Sequence, residues 1–174
     1  MIRACGLDPA AGSGLNGYAI LESTDCRDGV LIESGAMGSL YKVLERLKGC
    51  NVVAVDAPLT IPYRGFRGVE RRFMKTYHVR LLPGGLKGMA RLTSVGYSIR
   101  ALMEEAGVAV IETHPGSVAK INSLEGAGDV FDAIVSSAVA LAHICGAAQY
   151  VIDHDGLLAI ARFSINRDKI ELKR

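Results

Sequence analysis

Apolar and polar positions along the 174-residue chain follow two rhythms, one of period two and one near 3.6. Ile2 to Asp8 reads as a short buried strand, followed by the turn-forming run Pro9-Ala10-Ala11-Gly12-Ser13-Gly14. Tyr18 to Ser23 and Val30 to Ser34 read as two further strands joined by the polar turn Asp25 to Gly29, which makes an antiparallel meander. Ser39 can cap a helix whose apolar positions Leu40, Val43, Leu44 and Leu47 fall at helical spacing, and Gly49 stops it. Val52-Val53-Ala54-Val55 is a β-branched apolar run ending at Asp56, as in a parallel strand covered on both faces. Leu92, Val95, Ile99, Leu102, Met103 and Ala106 recur at three and four residues, giving an amphipathic helix from Arg91 to Ala106. Val108 to Ile111 is another buried strand, ending at Glu112, and His114-Pro115 lies in the loop after it. A long helix then runs from Asp129 to about Cys145, and Tyr150 to Ile152 with Leu158 to Ile160 form a closing hairpin.

Three antiparallel strands, then helix, strand, helix, strand and helix require two parallel strands added by right-handed crossovers, so the strands ending at Asp56 and Glu112 should lie beside the first. The expected fold is therefore α/β, a mixed sheet flanked by helices, in one domain spanning residues 1–174. Ala57 to Met89, with prolines and glycines at both ends and a short helix from Val69 to Tyr77, reads as an insertion of about residues 57–90 across the sheet edge. No apolar stretch reaches the roughly 18 residues a membrane span requires, and Asp8 follows only a few apolar residues at the N-terminus, so a cytoplasmic chain is expected. The four cysteines, Cys5, Cys26, Cys50 and Cys145, are far apart and form no C-x-x-C pair, so they are expected to be small core hydrophobes rather than zinc ligands or a disulfide framework.

The net charge of +2 conceals a division along the chain. Between Ile61 and Arg91 stand eight bases and one acid, a charge of +7, which leaves 12 bases against 17 acids, or −5, elsewhere. Arg64, Arg67, Arg71, Arg72, Lys75 and Arg80 in that window are candidates for contact with a polyanion such as a nucleic-acid backbone. A solvated helix and loop would carry the same charge.

Asp8, Asp56 and Glu112 each end a buried strand, and ligand sites in open sheets form beyond the carboxyl ends of parallel strands. Neighbouring strands lie about 4.8 Å apart, so Asp8 and Asp56 should face one small volume, where two carboxylates repel unless a cation sits between them. On the long apolar helix, Asp129, Asp132, Ser136 and His143 share one stripe, and Asp132 has no basic residue within helical reach. Asp132 therefore joins Asp8 and Asp56 as a candidate metal ligand. Asp129 is a fourth candidate, with an N-cap role as the simpler reading.

These stretches together resemble the ribonuclease H-like superfamily, and within it the predicted nucleases of domain of unknown function 429. The likeness rests on Gly6-Leu7-Asp8-Pro9-Ala10 with Gly17-Tyr18-Ala19-Ile20, on Val55-Asp56-Ala57-Pro58-Leu59, on Glu112-Thr113-His114-Pro115 and on Asp129-Val130-Phe131-Asp132-Ala133. It implies a nuclease that cleaves phosphodiester bonds of DNA or RNA with two Mg²⁺ or Mn²⁺ ions. One ion would activate a water for in-line attack and the other would stabilise the leaving oxygen. Asp8 would bridge both ions, and Asp56 and Asp132 would hold one each. Glu112 is then either a ligand or a support for His114, and His114 a candidate general acid or base. Because junction-cutting relatives act in pairs, a homodimer is compatible with the resemblance, although no residue argues for it.

Two rivals share parts of this pattern. Gly12 to Gly17 spells G-x-G-x-x-G after a strand, but a strand and not the required helix follows, so a dinucleotide site is not expected. Actin-like ATPases and sugar kinases also open on an aspartate and a glycine-bearing hairpin, yet they need two domains of this size. A nucleic-acid-binding module with merely structural acids is the non-enzymatic alternative.

Overall fold

A computed structural model describes residues 1–60, 65–83 and 86–173. Among the described residues seven strands form one mixed sheet, in the order β5 (Ala109–Glu112), β4 (Val52–Val55), β1 (Ile2–Asp8), β2 (Asn16–Ser23), β3 (Asp28–Met37), β9 (Lys169–Leu172) and β8 (Phe163–Asn166). The strands β1, β2 and β3 form the antiparallel meander, and β4 and β5 extend it in parallel beyond β1. Three antiparallel strands followed by two parallel ones are the arrangement that the order of elements along the chain led us to expect.

Alternation along the strands sorts the core into two halves. On one face Cys5, Leu7, Val53 and Val55 pack against α1 (Leu40–Leu47) and α3 (Lys87–Glu105) through Val43, Leu47, Ile99 and Met103. On the other, Ala4, Val52 and Ala54 pack against α5 (Asp129–Ile144), with Phe73 of α2 (Gly68–Tyr77) and Val118 of α4 (Pro115–Ile121). Ser39 caps α1 by accepting from the Lys42 N–H, as its sequence position suggests. From Ala133 to Ala142 the only residue of α5 that is not buried is Ile134, as its apolar composition requires. Helix and sheet approach closely where the chain carries no side chain: a Cβ on Gly6 would overlap the Ala133 carbonyl and the Ser137 amide, and one on Gly17 the Asp129 backbone.

Several features depart from the sequence reading. The hairpin of β6 (Gln149–Asp153) and β7 (Gly156–Ile160) forms as expected, but as a separate two-stranded sheet. A second hairpin, β8 (Phe163–Asn166) and β9 (Lys169–Leu172), follows it and carries the main sheet past β3. Its turn at Arg167 and Asp168 lacks glycine, and Arg167 itself takes the left-handed conformation (φ 54°), so the usual hairpin signal is missing. Helix α4 occupies what reads as loop, because Pro115 at its first position and the His114 ring as its cap supply an unfamiliar start.

The cysteines are not free core hydrophobes. Cys5 pairs with Cys50 (Cα separation 6.1 Å) and Cys26 with Cys145 (5.4 Å), and no cysteine is left over. The fold brings together thiols 45 and 119 residues apart, a proximity that local spacing does not encode. Cys26–Cys145 ties the β2–β3 turn to the C-terminus of α5. Replacing both of these cysteines by serine is expected to lower stability by about 2 to 4 kcal/mol through the lost constraint on the unfolded chain. Urea unfolding of the variant beside the parent checks this, and an unchanged midpoint argues that the bridge contributes nothing in solution.

No helix among the described residues is long and apolar enough to cross a membrane.

Candidate metal centre

Leu7 and Val55 point to the α1/α3 face, so Asp8 and Asp56, each one residue further on, turn toward α5. The backbone ladder continues to this point, with the Asp56 N–H donating to the Leu7 carbonyl at 2.9 Å. From above, the first turn of α5 contributes Asp129 and Asp132. The close approach at Gly6 and Gly17 holds that turn against the ends of β1 and β2. Three acids distant in sequence thus meet at one sheet edge.

Their mutual influence is electrostatic. The Asp8 carboxyl is raised to about 7, first by burial and then by the Asp132 and Asp129 charges. Asp56 is pushed well above the usual carboxylate range by burial, with Asp8, Asp132 and Glu112 adding to it. Burial and Asp129 raise Asp132 as well. No cation among the described residues offsets any of the three. Ser136, on the same stripe one turn beyond Asp132, is fully buried, and its Oγ has no hydrogen-bond partner among the described residues. An excess of hard oxygen donors, uncompensated charge and an orphaned hydroxyl fit a magnesium- or manganese-type cation.

Asp129 does not cap α5. Gly128, at φ 96°, is the N-cap and Asp129 the first helical residue, exposed at the rim of the acidic cluster.

Glu112 is engaged elsewhere. In register with Val55 at the end of β5, it lies near enough to Asp56 to raise that carboxyl, but its own oxygens are spent on other partners. It accepts from the Leu59 N–H (2.9 Å) and takes a two-pronged contact from Arg67, with Nη1 at 2.9 Å from Oε2 and Nη2 on Oε1. Arg67 also donates through Nε to Glu70 (2.9 Å) and through Nη1 to the Thr60 hydroxyl (2.8 Å), and it is only 3% exposed. Burial lowers its pKa, but Glu112 and Glu70 outweigh that and hold it above the ordinary arginine value. Burial raises Glu112 and Arg67 opposes the rise. Arg67 is therefore not a surface cation for a phosphate backbone; it clamps the insertion to the end of β5.

His114 accepts from the Ser117 N–H through Nδ1 at 3.2 Å, which assigns its proton to Nε2. Burial lowers its pKa to about 4, with Lys120 adding to the shift, so at neutral pH the ring is an uncharged N–H donor rather than a proton shuttle.

Of the remaining basic candidates, Arg71, Arg72 and Lys75 lie exposed along α2, where they line an open groove with Asp153 and His154. Arg72 is tied to Asp153 at 3.1 Å. Arg80 is exposed beyond the helix, and Arg64 falls outside the described residues. Sequence reasoning overlooked Arg91 as a site residue, although it lies in the basic window. Its guanidinium lies 3.5 Å from where a Cβ on Gly12 would stand, over the loop that follows Asp8. That loop leads into β2, so no helix opens at its glycines and the dinucleotide pattern is coincidental.

Asp153, His154 and Asp155 are the one trio among the described residues whose ligand atoms all fall within 4.8 Å, so Asp8, Asp56 and Asp132 stand further apart than that. The trio has structural partners. Asp155 caps α2 by accepting from the Gly68 and Val69 N–H groups at 2.5 and 3.0 Å, and Asp153 holds Arg72.

No protein-family model matches the chain, so the likeness to domain of unknown function 429 rests on the motifs alone, and no curated protein matches it. Among solved structures, Thermus thermophilus RuvC in complex with Holliday junction substrate is similar at 16% identity, over 83% of this chain and 94% of that one, with a TM-score of 0.47. A second Thermus thermophilus RuvC structure is similar at 17% identity, over 83% and 97% of the two chains, with a TM-score of 0.45.

Proposed function

We propose that the chain is a metal-dependent nuclease that hydrolyses phosphodiester bonds of DNA or RNA. The observation that carries this reading is the meeting of Asp8, Asp56 and Asp132 at one sheet edge without a compensating cation among the described residues. Two divalent cations there would polarise the phosphate, activate water and stabilise the leaving oxygen. Asp8, central to the cluster, is suited to hold both, and Asp56 and Asp132 to hold one each. Asp129 at the rim adds charge without burial. Arg67 and Glu112 position the segment after β4 and with it the Asp56 end of the site. Arg71, Lys75 and Arg80, with Arg91 over the Asp8 loop, supply contacts to backbone phosphates that are independent of sequence.

Incubation with labelled single-stranded and branched DNA and RNA in Mn²⁺ tests the reading. Cleavage that disappears in Asp132→Asn while binding persists supports it. ATP turnover without strand cleavage points instead to a phosphate-handling relative of the kinases. Removing a backbone contact should also be visible in the salt dependence of binding. Arg71→Ala and Lys75→Ala are each expected to flatten the plot of log affinity against log salt by about 0.9 for a duplex or about 0.7 for a single strand. Unchanged slopes would remove α2 from the interface.

A further inference from the structure

Beside the acidic cluster lies a cavity of about 220 Å³ whose wall includes Asp56. Its broad surfaces are apolar, formed by Pro58, Leu81, Met89, Leu92 and Leu158, drawn from the insertion, α3 and the β6–β7 hairpin. The polar groups around it are largely committed to one another. Arg67 spends its donors on Glu70, Glu112 and Thr60, both Glu112 oxygens accept, and the Thr113 hydroxyl donates to the Ala159 carbonyl at 2.9 Å. His114 is the exception: Nδ1 faces the α4 backbone, leaving Nε2–H as the remaining ring donor of a residue that lines the cavity. Among the described residues, no uncommitted cation lines the space, so it does not suit a phosphate. Its volume falls below the roughly 300 Å³ at which pockets begin to take drug-sized ligands. A flat ring system with an acceptor on its edge meets each of these conditions.

We propose that the cavity receives one unstacked base of the strand being cut, flanked by the apolar walls and accepting a hydrogen bond from His114 Nε2–H. This rests on the nuclease reading, because Asp56 is shared between the cavity and the acidic cluster, which places the base next to the phosphate held there. Withdrawing a base from its stack costs least in single-stranded or distorted nucleic acid, so the pocket favours unpaired or junction positions over regular duplex.

The test uses 2-aminopurine, whose fluorescence rises when it leaves the stack, stepped through a labelled single strand in Ca²⁺ so that nothing is cut. A severalfold rise at one position is expected with the wild-type chain. Met89→Trp fills the cavity and should abolish the rise at saturating protein, where the strand is still held through its backbone phosphates. The chain has no other tryptophan, so this one also reports whether the variant is folded. His114→Asn keeps a good cap for α4 while removing the ring, and should reduce the rise. A rise that survives Met89→Trp in a folded protein, or no rise at any position, overturns the pocket. Cleavage in Mn²⁺ is scored separately. Cutting without a rise sinks the pocket alone, whereas a rise without cutting sinks the nuclease reading and supports the pocket.

Discussion

Asp8→Asn is expected to stabilise the metal-free protein at neutral pH and to abolish its response to divalent cations. In the folded chain burial and the neighbouring Asp132 and Asp129 raise the Asp8 carboxyl to about 7, from an ordinary value of 3.8. Between those two values the folded state binds the proton more tightly than the unfolded state. This group's contribution to stability is therefore most favourable below pH 3.8, declines as the pH rises, and reaches its full penalty above about pH 7. Asparagine mimics the protonated carboxyl and escapes the penalty. The melting temperature of Asp8→Asn minus that of the parent, both in chelator, should thus be near zero at pH 4 and grow to a plateau above pH 7. Mn²⁺ should reverse the order. A site filled at 100 times its Kd adds about 2.7 kcal/mol to the parent, and the variant gains nothing. Strand cleavage should fall by more than the roughly 10- to 100-fold typical of losing a group that only supports a metal ligand. A melting difference independent of pH would remove Asp8 from the acidic cluster.

Arg67→Ala is expected to be the most destabilising single change in the insertion. The guanidinium is 3% exposed and bonds to two carboxylates that are themselves buried, so its removal strands negative charge away from water. Breaking a buried pair from one side costs about 3 to 5 kcal/mol, measurable as a lowered urea midpoint. Adding Glu112→Gln should recover part of the loss, because one of the stranded charges is then gone, and a double-mutant cycle isolates that coupling. In nucleic-acid binding by the fraction that remains folded, the salt slope should match the parent, unlike that of Arg71→Ala. A reduced slope with normal stability would restore Arg67 to the surface role its charge suggests.

The contrast between those two arginines shows what was legible in the chain. Period-two and period-3.6 patterning reports which residues are covered, and from it the meander, both parallel strands and α5 follow, with Asp8 and Asp56 at the strand ends. Charge along a segment reports nothing about direction. Arg67 and Arg71 lie four residues apart, yet one is enclosed by Glu70 and Glu112 and the other is exposed. The partner that decides the matter, Glu112, is 45 residues away. Cys5 and Cys50 escape local reading for the same reason, as does the pairing of β9 with β3. Asp129 is a subtler case: a good capping residue yielded that position to Gly128, whose positive φ of 96° gives the chain its entry into α5.

The bare contact between β1 and α5 bears on how the protein can vary. At Gly6 and Gly17 main chain meets main chain, with no side chain acting as spacer. The height of α5 above the sheet is therefore fixed by the thickness of the polypeptide itself. Core residues such as Val135, Val139 and Leu141 can be exchanged for others of similar volume without altering the distance from Asp132 to Asp8. An added methyl at Gly6, by contrast, lifts the helix and opens the acidic cluster. Drift in the hydrophobic core and the calibration of the metal centre are thereby uncoupled, and the Cα atoms of two glycines serve as the gauge between them.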